Sequence, residues 1–134
     1  MTPRQIVLCH PVRTAIGTYG GSLKEIAAPD LGAVAIRETL ARSGLPATAI
    51  ETLVMGNVIQ AGVKMNPARQ AGIAAGLPVE VPALSVNRVC GSGAQAVVSA
   101  ALEIQAGLID CAIAGLSLIH ISEPTRLRRI SYAV

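Results

Sequence analysis

Phenylalanine and tryptophan are missing from this sequence, and its only aromatic side chains are Tyr19 and Tyr132. Recognition of single-stranded nucleic acid by stacking bases on aromatic rings therefore has almost nothing to work with. Histidine is as scarce, with His10 and His120 alone. The three cysteines, Cys9, Cys90 and Cys111, stand far apart, and no Cys-x-x-Cys pair occurs. Such spacing indicates neither a zinc site nor a disulfide framework. Charged residues make up 14% of the chain and the formal net charge is +3. That charge is uneven: Arg126, Arg128 and Arg129 crowd the C-terminal end beside Glu123. The basic balance thus describes the tail more than the body, and it implies no nucleic-acid or membrane partner. No apolar run approaches the roughly 18 residues that mark a membrane span. The apolar stretch at residues 6–8 is too short for a signal peptide. A reducing cytoplasm is the expected location.

What is present is aliphatic. Hydrophobic residues make up 51% of the 134, which excludes disorder by composition and gives one domain enough apolar surface for a core. Residues 5–9, QIVLC, read as a short buried strand. A long glycine-containing loop follows, with room for one helical turn. Asp30 is the expected N-cap of a helix with Ala33, Ile36 and Leu40 on its apolar face; Glu38 and Arg42 sit four apart on its polar face, and Gly44 ends it. Residues 50–62 predict a strand to about Met55 and then a loop. Asn66 as cap and Pro67 at the first helical position open a second helix, which Gly76 and Pro78 stop. Residues 81–89 are extended. Residues 91–107 predict a third helix with Ala94, Val97, Val98, Ala101, Ile104 and Leu108 on its apolar face. Residues 109–115, IDCAIAG, form another buried strand. Strand and helix alternate throughout, the pattern of an α/β layered fold with a sheet covered on both faces.

Residues 116–134, LSLIHISEPTRLRRISYAV, abandon this alanine- and glycine-rich style. A surface extension is one reading. The preferred one is the conceptual translation of a transposase-type sequencing adapter, with LRR where a variable index would fall. The expected division is therefore a domain over residues 1–115 and a non-native tail over residues 116–134.

The chemistry centres on NRVCGSGAQA, residues 87–96. Cys90 falls where an extended run gives way to a helix, and the unpaired amides and positive dipole end of a helix stabilise a thiolate. Gly91 and Gly93 leave room beside the sulfur for a substrate. The local alternatives are a structural cysteine in a tight turn and a phosphate-cradling loop, the latter weakened by the missing Walker lysine. For Cys9 and Cys111, both in apolar strand-like runs, a buried structural role is expected.

RTAIGTYGGSLKEIAAPDLGAVAI, GNVIQAG, NPARQAGIAAGLP and VNRVCGSGAQAVVSAALEIQAG occur in that order. Together they resemble the N-terminal part of a thiolase, of the acetyl-CoA acetyltransferase or 3-ketoacyl-CoA thiolase type, over residues 4–115. The resemblance implies an αβαβα layered fold of two similar halves, of which only part of the first would be present. It implies Cys90 as the nucleophile that carries the acyl group as a thioester, exchanging it between coenzyme A thioesters in fatty-acid metabolism. It implies acyl-CoA and CoA as substrates, no bound cofactor or metal, and a homodimer or homotetramer for the full-length protein. The family's Asn-Glu, Gly-His-Pro and Cys-x-Gly-Gly-Gly segments do not occur in these 134 residues, and neither His10 nor His120 matches the family's histidine. The expectation is a truncated and inactive fragment. Two other readings stay open: another condensing enzyme of the thiolase superfamily, and a small non-catalytic α/β interaction domain.

Overall fold

Residues with the right end chemistry start and stop the helices. In the computed structural model, which describes residues 4–117, helix α1 spans Ala28–Ser43. Gly44 closes it in the left-handed conformation at φ 68°, its amide donating to the Leu40 carbonyl. Asp30 is not the cap. It lies inside the first turn, one residue after Pro29, and Ala27 holds the cap position. Proline has a helical φ built in and no amide to satisfy, so the helix begins ahead of the aspartate. Asp30 still gains from facing the positive end of the helix dipole. The Arg42 guanidinium meets the Glu38 carboxylate at 2.6 Å, as their spacing predicts.

Strand β1 spans Thr52–Asn57, helix α2 Pro67–Ala75, strand β2 Ala83–Val86, helix α3 Ser92–Gln105 and strand β3 Ala112–Ser117. A single 3₁₀ turn, Ala47–Ala49, precedes β1. The Asn66 side chain accepts from the Arg69 amide at the start of α2, and Gly76 closes that helix at φ 94°. The three strands form one parallel sheet in the order β2-β1-β3, with Leu53 opposite both Ala83 and Ile113.

Every residue of the central strand β1 is buried, and alternate side chains serve opposite faces. Leu53 and Met55 join Ile36 of α1, Ala68 and Ala71 of α2, and Ile113 of β3 in the larger core cluster. Val54 packs on the other face with Ala96 and Ala100 of α3. The chain is thus an α/β layer structure with helices on both sides of a small open sheet. Among the described residues, no helix is long and apolar enough to cross a membrane.

Three further expectations are corrected. Residues 5–9 form no strand, and Val7 and Leu8 are 72% and 78% exposed. Both edges of β1 are taken by β2 and β3; an apolar run states a preference for burial without naming its partner. Cys9, expected to be buried with this run, is exposed. The face of α3 that meets the sheet is built on Ser92, Ala96 and Ala100, while Val98 and Leu108 of the expected apolar face are exposed. Small side chains win because the helix lies close to the sheet: a Cβ on Gly93 would stand 3.0 Å from Leu116 Cβ.

Strand β3 runs on through Leu116 and Ser117, past the division expected after Gly115, and Leu116 pairs with Gly56. The rest of the proposed tail, with His120 and the three clustered arginines, lies outside the described residues.

Candidate active site

Cys90 stands between β2 and α3, outside the carboxyl ends of the parallel strands, where open α/β sheets place their ligands. It is exposed, and Gly91 after it is the cap residue of α3. The backbone reaches this position through a tight, heavily bonded turn. The Asn87 carboxamide oxygen accepts from the Val89 amide at 3.0 Å, closing an Asx turn. Its nitrogen donates to the Val58 carbonyl at 2.8 Å, in the loop that leaves β1. Val89 is left-handed, at φ 49°. That region is a genuine outlier for a β-branched residue and costs on the order of 1–3 kcal/mol.

Ser92 fixes the other side of the turn. It is completely buried, and its hydroxyl donates to the Val89 carbonyl at 2.6 Å while accepting from the Arg88 amide at 2.9 Å. The Gly91 amide donates to the Arg88 carbonyl and the Ser92 amide to the Val89 carbonyl. With those two amides used in the turn, Gly93 and Ala94 are the first-turn donors that have no carbonyl within the helix. The Arg88 guanidinium extends along α3 to the Gln95 carboxamide oxygen at 2.7 Å, and the Gln95 amide group reaches Ser99.

The start of α3 also rests directly on β1. A Cβ on Gly56 would stand 2.7 Å from the Ser92 carbonyl carbon and 2.8 Å from Ser92 Cβ. The next residue, Asn57, is completely buried, and neither its side-chain nitrogen nor its side-chain oxygen has a partner among the described residues.

The other cysteines have different surroundings. Cys111 precedes β3 half-buried against the larger core cluster. Burial first, then the nearby Glu51 carboxylate, then Cys9, push its thiol pKa up. Glu51 is held there by accepting from the Asp110 and Cys111 amides. These surroundings disfavour the thiolate, the reactive form, at Cys111. His10 is exposed in the N-terminal segment, at φ 52°. Among the described residues, no side-chain base is hydrogen-bonded to Cys90, and no cluster of three metal-ligating side chains is present.

The structure thus brings together Cys90, the helix start expected beside it and its flanking glycines. It adds Asn87, Ser92 and Asn57, to which sequence reading gave no role. An asparagine two residues before a turn position is a legible Asx-turn signal. The left-handed Val89 is not legible, since valine is among the last residues to expect there.

The chain matches the thiolase N-terminal domain over residues 6–117. It is 49% identical over 110 residues to an acetyl-CoA acetyltransferase of Cupriavidus necator, covering 82% of this chain and 28% of that protein. It is 49% identical over 113 residues to the beta-ketothiolase BktB of the same organism, covering 84% and 29%. It is 44% identical over 112 residues to an acetyl-CoA acetyltransferase of Escherichia coli, covering 84% and 28%. The chain spans less than a third of the length of these curated relatives. By the domain match and by these identities, the chain belongs to the thiolase family, whose N-terminal domain residues 6–117 represent.

Proposed function

We propose that Cys90 is the nucleophile of a thiolase-type acyltransferase and carries the acyl group as a thioester between coenzyme A thioesters. The observation that carries this reading is positional: an exposed thiol at the N-terminus of α3, held there by a strained turn that Asn87 and Ser92 bond from either side. In the degradative direction, the Cys90 thiolate attacks the keto carbon of a 3-ketoacyl-CoA. The bond between the α and β carbons breaks, and acetyl-CoA leaves as a carbanion that takes up a proton. The thiol of CoA then attacks the thioester, receives the acyl group and returns Cys90 to the thiolate. The synthetic direction reverses these steps and joins two acetyl-CoA molecules. A covalent intermediate splits one difficult transfer into two easier ones, and in this reading the Cys90 amide, one residue before the cap of α3, donates to the developing oxyanion. The names of the relatives support acetyl-CoA as a substrate.

Further parts of the reading concern the whole protein: a homodimer or homotetramer, working in the cytoplasm in fatty-acid metabolism. For the 134 residues alone we propose acylation without turnover. The segments that supply the family's base and second cysteine do not occur in them, and a positioned base is typically worth about 10²–10⁴-fold. Incubation with acetyl-CoA, followed by mass analysis of the peptide bearing Cys90, tests the reading. One acetyl group on Cys90, lost in Cys90→Ser and removed by added CoA, is the expected result. Acetylation spread equally over Cys9, Cys90 and Cys111 would refute it.

A further inference from the structure

We propose that Asn87 is a positioning residue for Cys90: its carboxamide locks Val89 in the left-handed conformation that aims the next residue, and anchors that lock to the loop leaving β1. The chemical purpose rests on the acyl-carrying reading of Cys90; the geometry does not. Valine disfavours φ 49°, because its Cβ is driven toward a backbone carbonyl. Packing does not hold it there, since Val89 is 64% exposed. Hydrogen bonds must. Ser92 supplies two of them, both to the Val89 carbonyl, one from its amide and one from its hydroxyl. Asn87 supplies the bond on the opposite side of Val89, to its amide. The same carboxamide binds the Val58 carbonyl and thereby ties the turn to the central strand. Without Asn87, only the Ser92 bonds to the Val89 carbonyl oppose the relaxation of Val89 toward extended or helical backbone. Cys90, one residue later, then turns away from the start of α3. Sequence alone would assign Asn87 only a loop role; the left-handed valine shows what that asparagine has to oppose.

Three variants separate positioning from a general structural role. Asn87→Ala removes both bonds. Asn87→Ser keeps a neutral oxygen that can accept from the amide two residues on. Val89→Gly accepts φ 49° without strain, so the lock is no longer needed. The reagents are iodoacetamide and acetyl-CoA on the intact chain, read by mass on the Cys90 peptide, with exposed Cys9 as internal standard. Asn87→Ala is expected to slow Cys90 alkylation toward the Cys9 rate and to slow acetylation by about tenfold or more. Asn87→Ser is expected to recover most of both rates, and Asn87→Ala to have little further effect when Val89→Gly is already present. Equal rates in Asn87→Ala and the unaltered chain would overturn the proposal, as would an Asn87→Ala effect undiminished by Val89→Gly. Should Asn87→Ala also open Cys111 to the reagent, the fold has been lost; Asn87→Ser and the Val89→Gly pair then decide by the same criteria. Alkylation that depends on Asn87 without any acetylation would refute the acyl-carrying reading and leave the positioning role standing. Acetylation indifferent to residue 87 would do the opposite.

Discussion

Two asparagines at the carboxyl end of the sheet are in opposite circumstances. Asn87 has both side-chain atoms bonded, although it is exposed. Asn57 is completely buried, and neither side-chain atom is bonded among the described residues. A buried amide without partners loses its hydration and gains nothing in return, at a cost of about 1–3 kcal/mol. Replacing it with an apolar side chain of similar size removes that cost. Asn57→Leu is therefore expected to stabilise the 134-residue chain by about 1 kcal/mol or more, read as a higher urea midpoint at low protein concentration. A lower midpoint would show that the carboxamide has a partner outside residues 4–117. At this scale the sequence is legible where chemistry is local. Asn66 and Pro67 start α2 and Gly44 ends α1 as their side chains dictate. Cys90 at a helix start could be placed by the same logic. Asn57 could not, because its isolation depends on what surrounds the end of β1 rather than on its neighbours in the chain.

The elements meet through missing side chains. Gly56 lets the first residue of α3 lie against β1, and Gly93 makes room for Leu116. Gly72 of α2 lies where a Cβ would stand 2.8 Å from Leu53 Cδ2. This explains why the buried face of α3 was not legible: hydrophobic size points to Val98 and Leu108, while close approach selects Ser92, Ala96 and Ala100. It also makes Gly56 a control on the site from beneath. Gly56→Ala places a methyl group 2.7 Å from the Ser92 carbonyl carbon. Backbone cannot yield as a flexible side chain can, so α3 must lift at its first turn. The expected cost is about 1–3 kcal/mol for overpacking, with loss of the hydroxyl contacts that Ser92 makes inside the Cys90 turn. Thermal unfolding measures the first. The second is read as slower alkylation of Cys90 with the Cys9 rate unchanged; an unaltered Cys90 rate would show that the turn is independent of its floor.

On the scale of the molecule, apolar surface exceeds what three layers of this size cover. Val98 and Leu102 stand 49% and 57% exposed on the outer side of α3, Leu84 is 46% exposed on the edge strand β2, and Val7 and Leu8 are open in the N-terminal segment. The strand expected at residues 5–9 belongs to the same problem. Its apolar character is plain in the sequence, but its burial needs a surface that α1 to α3 and the sheet do not provide. A parallel edge such as β2 also presents unpaired backbone groups, a template for another chain. The net charge of +3 gives only weak repulsion between copies. The isolated 134-residue chain is therefore expected to self-associate at micromolar concentration and to bind a hydrophobic dye in proportion to its monomer fraction. Sedimentation velocity over a dilution series checks this. Val98→Glu together with Leu102→Lys, both on the exposed side of α3, should shift the distribution toward monomer without altering Cys90 alkylation, because neither residue touches the turn. A chain that stays monomeric throughout the series would show that these patches are too dispersed to act together.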